Sequence, residues 1–198
     1  MAEIVHKRLG FPQAKILAEV VGLHVSKFAH RTIAVGGTFD ILHVGHERLL
    51  GRAFELGETV FIGVTGDQLV AKLHKIHDVR ALSARKRDLR KFLRSRRWLR
   101  RARIIELKDP LGPAAERRDL EALVVSEDTR SNGMRANALR RRRGLPPLRL
   151  YTVRLVKSRD GKPVSVTRIR LGKIDSRGRL SGARLRDERG EMNTSHDA

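Results

Sequence analysis

Thr38, His43 and His46 are the residues of this chain whose types and spacing could do chemistry. They lie in Gly36-Gly37-Thr38-Phe39-Asp40-Ile41-Leu42-His43-Val44-Gly45-His46, between the apolar run Ile33-Ala34-Val35 and a helical pattern carrying Leu49-Leu50 and Ala53-Phe54. Paired glycines let backbone come close to an anion, and the first turn of a following helix offers unpaired N–H groups, so the layout is that of a phosphate site. Two imidazoles three residues apart fall on one side of that turn. Strand, glycines, hydroxyl and paired histidines together indicate nucleotide chemistry. A metal pair is the competing reading, with His43 and His46 as ligands and Asp40 as a third. Phosphate contact is preferred, because the site opens a helix in a chain of formal net charge +21.

Those residues need a scaffold, and the rest of the pattern supplies one. Residues 32–35 read as a first strand and 44–56 as a helix that stops at Gly57. Residues 59–64, β-branched and apolar, suit a parallel strand covered on both faces. Thr65-Gly66-Asp67 caps a short helix reaching about Lys72, and Ser83 caps a longer one carrying Leu89, Phe92 and Leu93. Residues 103–107 form a third strand, ended by Pro110, Gly112 and Pro113, and 122–125 a fourth. A basic helix spans about 135–143, closed by Gly144 and Pro146-Pro147. Residues 148–156 are a fifth strand, and a last helix starts at Thr167 or its neighbour and ends at Gly172. The alternation predicts an α/β fold: a Rossmann-like, doubly wound, mostly parallel five-stranded sheet. Ligands of such sheets bind beyond the carboxyl ends of the strands. The motifs fall there: 36–46 after the first strand, Lys72 and Lys75 after the second, 126–129 after the fourth and 165–170 after the fifth.

The 198 residues suit one such domain, over 30–175, with extensions. Ile16, Leu17, Val20, Val21 and Leu23 predict one short amphipathic helix in the extension 1–29. Residues 176–198 are expected to be a basic, mobile tail. Hydrophobic content of 40% with only 4% aromatics predicts a core of Leu, Val, Ile and Ala. Without cysteine, disulfides and thiolate metal sites are excluded. No apolar stretch is long enough to cross a membrane, and residues 1–8 lack the order of a secretion signal, so a cytoplasmic protein with no membrane partner is expected. The charge favours anionic partners, nucleic acid among them, but the arginines spread along the chain and read mainly as solvated surface. Residues 140–143 read most simply as an exposed helix face, and Trp98 and Tyr151 as packing residues.

Gly37-Thr38-Phe39-Asp40 followed by His43-Val44-Gly45-His46 resembles the first signature of the HxGH nucleotidyltransferase superfamily. Ser165-Val166-Thr167-Arg168-Ile169-Arg170 resembles its second, with Val166 where the family often has another serine. Adding Val124-Val125-Ser126-Glu127-Asp128-Thr129, the run Arg142-Arg143-Gly144-Leu145-Pro146-Pro147-Leu148, and Thr167 through Asp175, the chain resembles the archaeal type of phosphopantetheine adenylyltransferase over about residues 31–175. The resemblance implies adenylyl transfer from ATP to 4'-phosphopantetheine in coenzyme A synthesis, with Mg2+ carried by ATP and no metal held by protein side chains. It implies that Thr38 orients the attacking phosphate, that His46 stabilises the transition state at the α-phosphate, and that His43 lies beside the ATP phosphates. Gly37, Phe39 and Asp40 would form the nucleotide loop. Ser165 and Thr167 would hold β- and γ-phosphate oxygens, and Arg170 would meet the leaving pyrophosphate. Lys72 or Lys75 would bridge both phosphates, although 73–80 departs from the family's run of lysines. Glu127 either accepts from the adenosine or pairs with arginines of the following helix. The rivals are a cytidylyltransferase or FMN adenylyltransferase on the same fold, and a non-catalytic RNA-binding protein. The joint presence of Thr38, His43 and His46 favours the enzyme.

Overall fold

Residue alternation along the strands decides which face each helix covers. In the computed structural model, which describes residues 27–72 and 78–181, Ile33 and Val35 of β1 (His30–Gly37) face one side and Ala34 the other. The next strands are β2 (Gly57–Thr65), β3 (Ala102–Leu107), β4 (Ala122–Ser126) and β5 (Arg149–Val153). They form one sheet in the order β3-β2-β1-β4-β5, with every neighbouring pair parallel. The register sets Ile33 between Val60 and Ala122. The order reverses between β1 and β4, which opens a crevice at their carboxyl ends.

The helices are α1 (Val44–Leu56), α2 (Asp67–Lys72), α3 (Leu82–Ser95), α4 (Arg130–Arg142) and α5 (Val166–Arg170). One face of the sheet carries Leu49, Leu50, Ala53 and Phe54 of α1 with Leu89 and Leu93 of α3. Trp98 closes that layer by stacking on Phe54, ring centroids 4.7 Å apart. The other face carries Ala136 of α4 with Leu120 and Leu148, and Ala114 of a 3-10 turn (Gly112–Ala115). Two-sided cover explains why β2 and β4 read as unbroken apolar runs. Tyr151 has a packing role too, its hydroxyl 2.9 Å from His30 Nε2.

Several boundaries differ from the sequence expectation. Helix α4 begins at Arg130, five residues early, because its Asn132 and Gly133 read as turn residues. Gly133 is there for space: a Cβ would sit 3.1 Å from Leu150 Cδ2. Strand β5 stops at Val153. Ser83 does not cap α3. The helix starts at Leu82, whose N–H goes to the Asp67 carboxylate at 2.9 Å. Arg140 is not part of an exposed face. It is fully buried, donating to the carbonyl oxygens of Pro146, Ala114, Arg117 and Leu120. A helix position facing a neighbouring turn full of free carbonyls suits a guanidinium better than a hydrocarbon.

The chain beyond α5 turns back on itself. Ser181 N–H meets Lys173 O at 3.1 Å, Asp175 N–H meets Arg179 O at 2.9 Å, and Ser176 O accepts from Val44 N–H at 3.0 Å. The helix expected over 16–23, Lys75 and the tail from 182 onward lie outside the described residues.

Candidate functional site

The start of α1 is built by its own histidine. His43 is the N-cap, and its Nδ1 accepts the Gly45 N–H at 3.1 Å. That fold-back is why position 45 is glycine: a Cβ there would sit 2.9 Å from the His43 ring. Burial pushes the His43 pKa down to about 4, so the ring is neutral at pH 7. A neutral imidazole whose Nδ1 accepts carries its proton on Nε2, which makes that nitrogen a donor. His46 lies one turn on, its ring centroid 3.9 Å from that of His43 and 5.1 Å from that of Phe39. Phe39 is fully buried and left-handed at φ 50°, a conformation that a non-glycine residue holds only when its surroundings enforce it.

One expectation fails here. The first N–H groups of α1 are not open to an anion: that of Val44 goes to Ser176 O and that of Gly45 to His43 Nδ1. At those two positions the helix start offers imidazole rather than backbone.

Asp40 is buried and accepts from two arginines. Arg170 Nη2 donates to Oδ2 at 2.8 Å, and Arg80 Nε to Oδ1 at 3.0 Å. Arg80 also donates to Asp40 O and, at 2.7 Å, to Asp88. Burial opposes the charge on Asp40, but the hydrogen bonds from Arg170 and Arg80 outweigh it and hold the carboxyl below the usual carboxylate range. Behind this pair lies Arg85 of α3, fully buried, with backbone carbonyls of Thr38, Thr65 and Arg80 as acceptors.

Above these residues a cavity of about 490 Å³ opens at the β1/β4 reversal. Gly37, Thr38, Phe39, Asp40, His43, His46, Ser165 and Thr167 all line it. Arg170 is not in the lining; its Nη2 donates to Asp40, which is. Glu127 and Lys72 are not in the lining: Lys72 is exposed at the end of α2, and Glu127 accepts the Leu155 N–H at 2.9 Å. Among the described residues Glu127 makes no ion pair with the arginines of α4. Beyond β3 the cavity lining is apolar, with Leu107, Pro110, Leu111 and Pro113; beyond β4 and β5 it mixes Ser126, Asp128, Thr129 and Arg154 with Val153, Leu155 and Val156. Asn132 and Arg154 also line it and were missed from sequence. Their signal was position alone, one just inside the helix after β4 and one directly after β5.

A model of the cytidylyltransferase-like family matches residues 34–172. The phosphopantetheine adenylyltransferase of Thermococcus gammatolerans is 41% identical over 146 residues, covering 74% of this chain and 91% of the relative. That of Methanothermobacter thermautotrophicus is 41% identical over 154 residues, covering 78% and 92%. Among solved structures, an Archaeoglobus fulgidus protein described as of unknown function aligns with TM-score 0.56 and 29% identity, over 62% of this chain and 88% of that one. A lipopolysaccharide core biosynthesis protein from Thermoplasma volcanium aligns with TM-score 0.50 and 18% identity, over 62% and 94%, a likeness of fold alone.

Proposed function

The chain belongs to the phosphopantetheine adenylyltransferases within the cytidylyltransferase-like family, and from that premise we propose that it transfers the adenylyl group of ATP to 4'-phosphopantetheine by direct in-line attack. A phosphate oxygen of the acceptor forms a bond to the α-phosphorus while the bond from that phosphorus to the α–β bridging oxygen breaks. The products are dephospho-coenzyme A and pyrophosphate. A phosphate monoester is already an anionic nucleophile at neutral pH, so neither an activated serine nor a general base is needed. Catalysis rests on alignment and on donors placed where charge develops.

The observation that carries this reading is the shared cavity of Thr38, His43, His46, Ser165 and Thr167. In this account Thr38 Oγ1 orients the acceptor phosphate. His46 donates at the α-phosphate, neutral His43 donates through Nε2 beside it, and Ser165 and Thr167 hold the β- and γ-oxygens. Arg170, on the Asp40 tether, faces the departing pyrophosphate. Lys72, or Lys75 beyond the described residues, supplies the cation between the two phosphates. The mixed lining beyond β4 and β5 suits adenosine, with an apolar base and a polar ribose, and the apolar lining beyond β3 suits the pantetheine arm with its gem-dimethyl group. Among the described residues no three His, Asp or Glu side chains stand together as metal ligands. Asp40 is held by two guanidinium groups, so a divalent ion fits as a passenger of the triphosphate. Mg2+ bound there would screen the charge that opposes attack.

The test is pyrophosphate release from ATP with magnesium and 4'-phosphopantetheine, with CTP in place of ATP as the second arm. Turnover with ATP is expected, and His46→Ala should lower it by at least about tenfold, the loss of one transition-state donor. Turnover with CTP but not ATP would contradict the reading.

A further inference from the structure

We propose that Arg85 is a positioning residue for the acceptor-phosphate corner of the site, a role that rests on the adenylyl-transfer reading. The guanidinium lies wholly inside the protein. Nη1 donates to Thr38 O at 2.9 Å and to Thr65 O at 2.7 Å, Nε donates to Arg80 O at 2.7 Å, and Nη2 donates to Asp67 Oδ1 at 2.7 Å.

The acceptors are instructive. Gly37 and Val64 are the last residues paired between β1 and β2. Thr38 follows β1 and Thr65 is the last residue of β2, still paired with Leu107 of β3; both lie just past the β1/β2 ladder, where a carbonyl turned inward needs a new donor. One guanidinium therefore ties off both strands at the rim of the cavity. It fixes the backbone on which the Thr38 hydroxyl stands. Through Asp67 it also holds the head of α2, the helix that ends in Lys72. Asp67 in turn receives the first N–H of α3. Thr38 is assigned to the incoming phosphate, and α2 carries Lys72, assigned to the space between that phosphate and ATP. Ser165 and Thr167, assigned to the triphosphate, stand on α5 and its cap, which Arg85 does not touch.

Among the described residues the Arg85 guanidinium bonds only to backbone carbonyls and Asp67, so it acts through Thr38 rather than on substrate. The planar fork reaches carbonyls in several directions at once, whereas a lysine ammonium on a flexible stem serves one or two. Arg85→Lys keeps the charge and most of the volume and relaxes the geometry.

The test is steady-state kinetics of the full-length protein and Arg85→Lys, varying each substrate in turn, with a melting curve for each. Arg85→Lys should lower kcat/KM for 4'-phosphopantetheine at least about tenfold through a raised KM, with KM for ATP within about twofold. A residue that only supports the fold would shift the melting point and the active fraction and leave both KM values alone. That outcome, or an equal change for both substrates, overturns the inference. If Arg85→Lys does not fold, Asp67→Asn replaces it, since Asp67 lies at the surface and the amide still offers Leu82 an oxygen. It should raise the acceptor KM by about twofold or more with the ATP KM steady, because the fork loses its charged partner. No acceptor shift there overturns the inference. A wild-type protein without turnover overturns the functional reading and this inference with it. An active wild type with an unselective variant overturns this inference alone.

Discussion

His43 does two jobs with its two ring nitrogens. Nδ1 completes the helix start and Nε2 is left as a donor beside His46. The first job has a cost that pH exposes. The folded pKa of about 4 lies below the free value of 6.5, so the folded state binds fewer protons than the unfolded one between them. Stability therefore rises with pH across that window and falls as pH drops from 6.5 toward 4. The loss should be roughly 3 kcal/mol from this residue. Urea unfolding between about pH 4 and pH 7 should reveal the slope, and His43→Asn should flatten it, since an asparagine can cap a helix but does not titrate. An identical slope in both proteins would assign the effect to other groups. The motif around this residue was legible in the sequence because its geometry is local. Two imidazoles three residues apart at a strand-to-helix turn fall on one side of it, and their ring centroids are 3.9 Å apart.

Elements were legible where they are apolar and periodic, and misread where long-range carbonyls decide. β1 to β4, α1 and α2 follow from hydrophobic pattern and capping residues. Arg140 does not: in the run Arg140-Arg141-Arg142-Arg143 nothing local sets the first arginine apart. The difference comes from the 3-10 turn at Gly112–Ala115 and the chain after it, whose carbonyls converge on α4. Burial also pushes the Arg140 pKa down. Removing its donors strands four carbonyl oxygens, so Arg140→Met should cost about 3 kcal/mol. Arg141→Ala, at an exposed neighbour, should stay within about 0.5 kcal/mol. Chemical denaturation of the pair gives the answer, and equal effects would mean that the carbonyls find other donors. The same logic hid the tie between Val44 and Ser176. Helix N-termini read as open in a sequence, and only the returning chain reveals that one is closed.

Over the whole molecule, the chain carries a net charge of +21, and both proposed substrates are anionic. Some of that charge is internal, with Arg85 and Arg140 fully buried on carbonyl oxygens. The remainder raises the positive potential through which ATP approaches. Added salt should lower kcat/KM for ATP while leaving kcat nearly level, because screening acts on encounter rather than on the aligned complex. A kcat that falls in step would place the charge effect in the chemical step. Sheet order, crevice and loops together make an aligning device. It has no nucleophile of its own in the account given, and that absence has a stereochemical signature. The most direct measurement is the configuration at the α-phosphorus of the product formed from ATP chirally labelled with sulfur at that position. A single in-line displacement predicts inversion. Retention would mean two displacements through an adenylylated protein side chain, and would contradict the account.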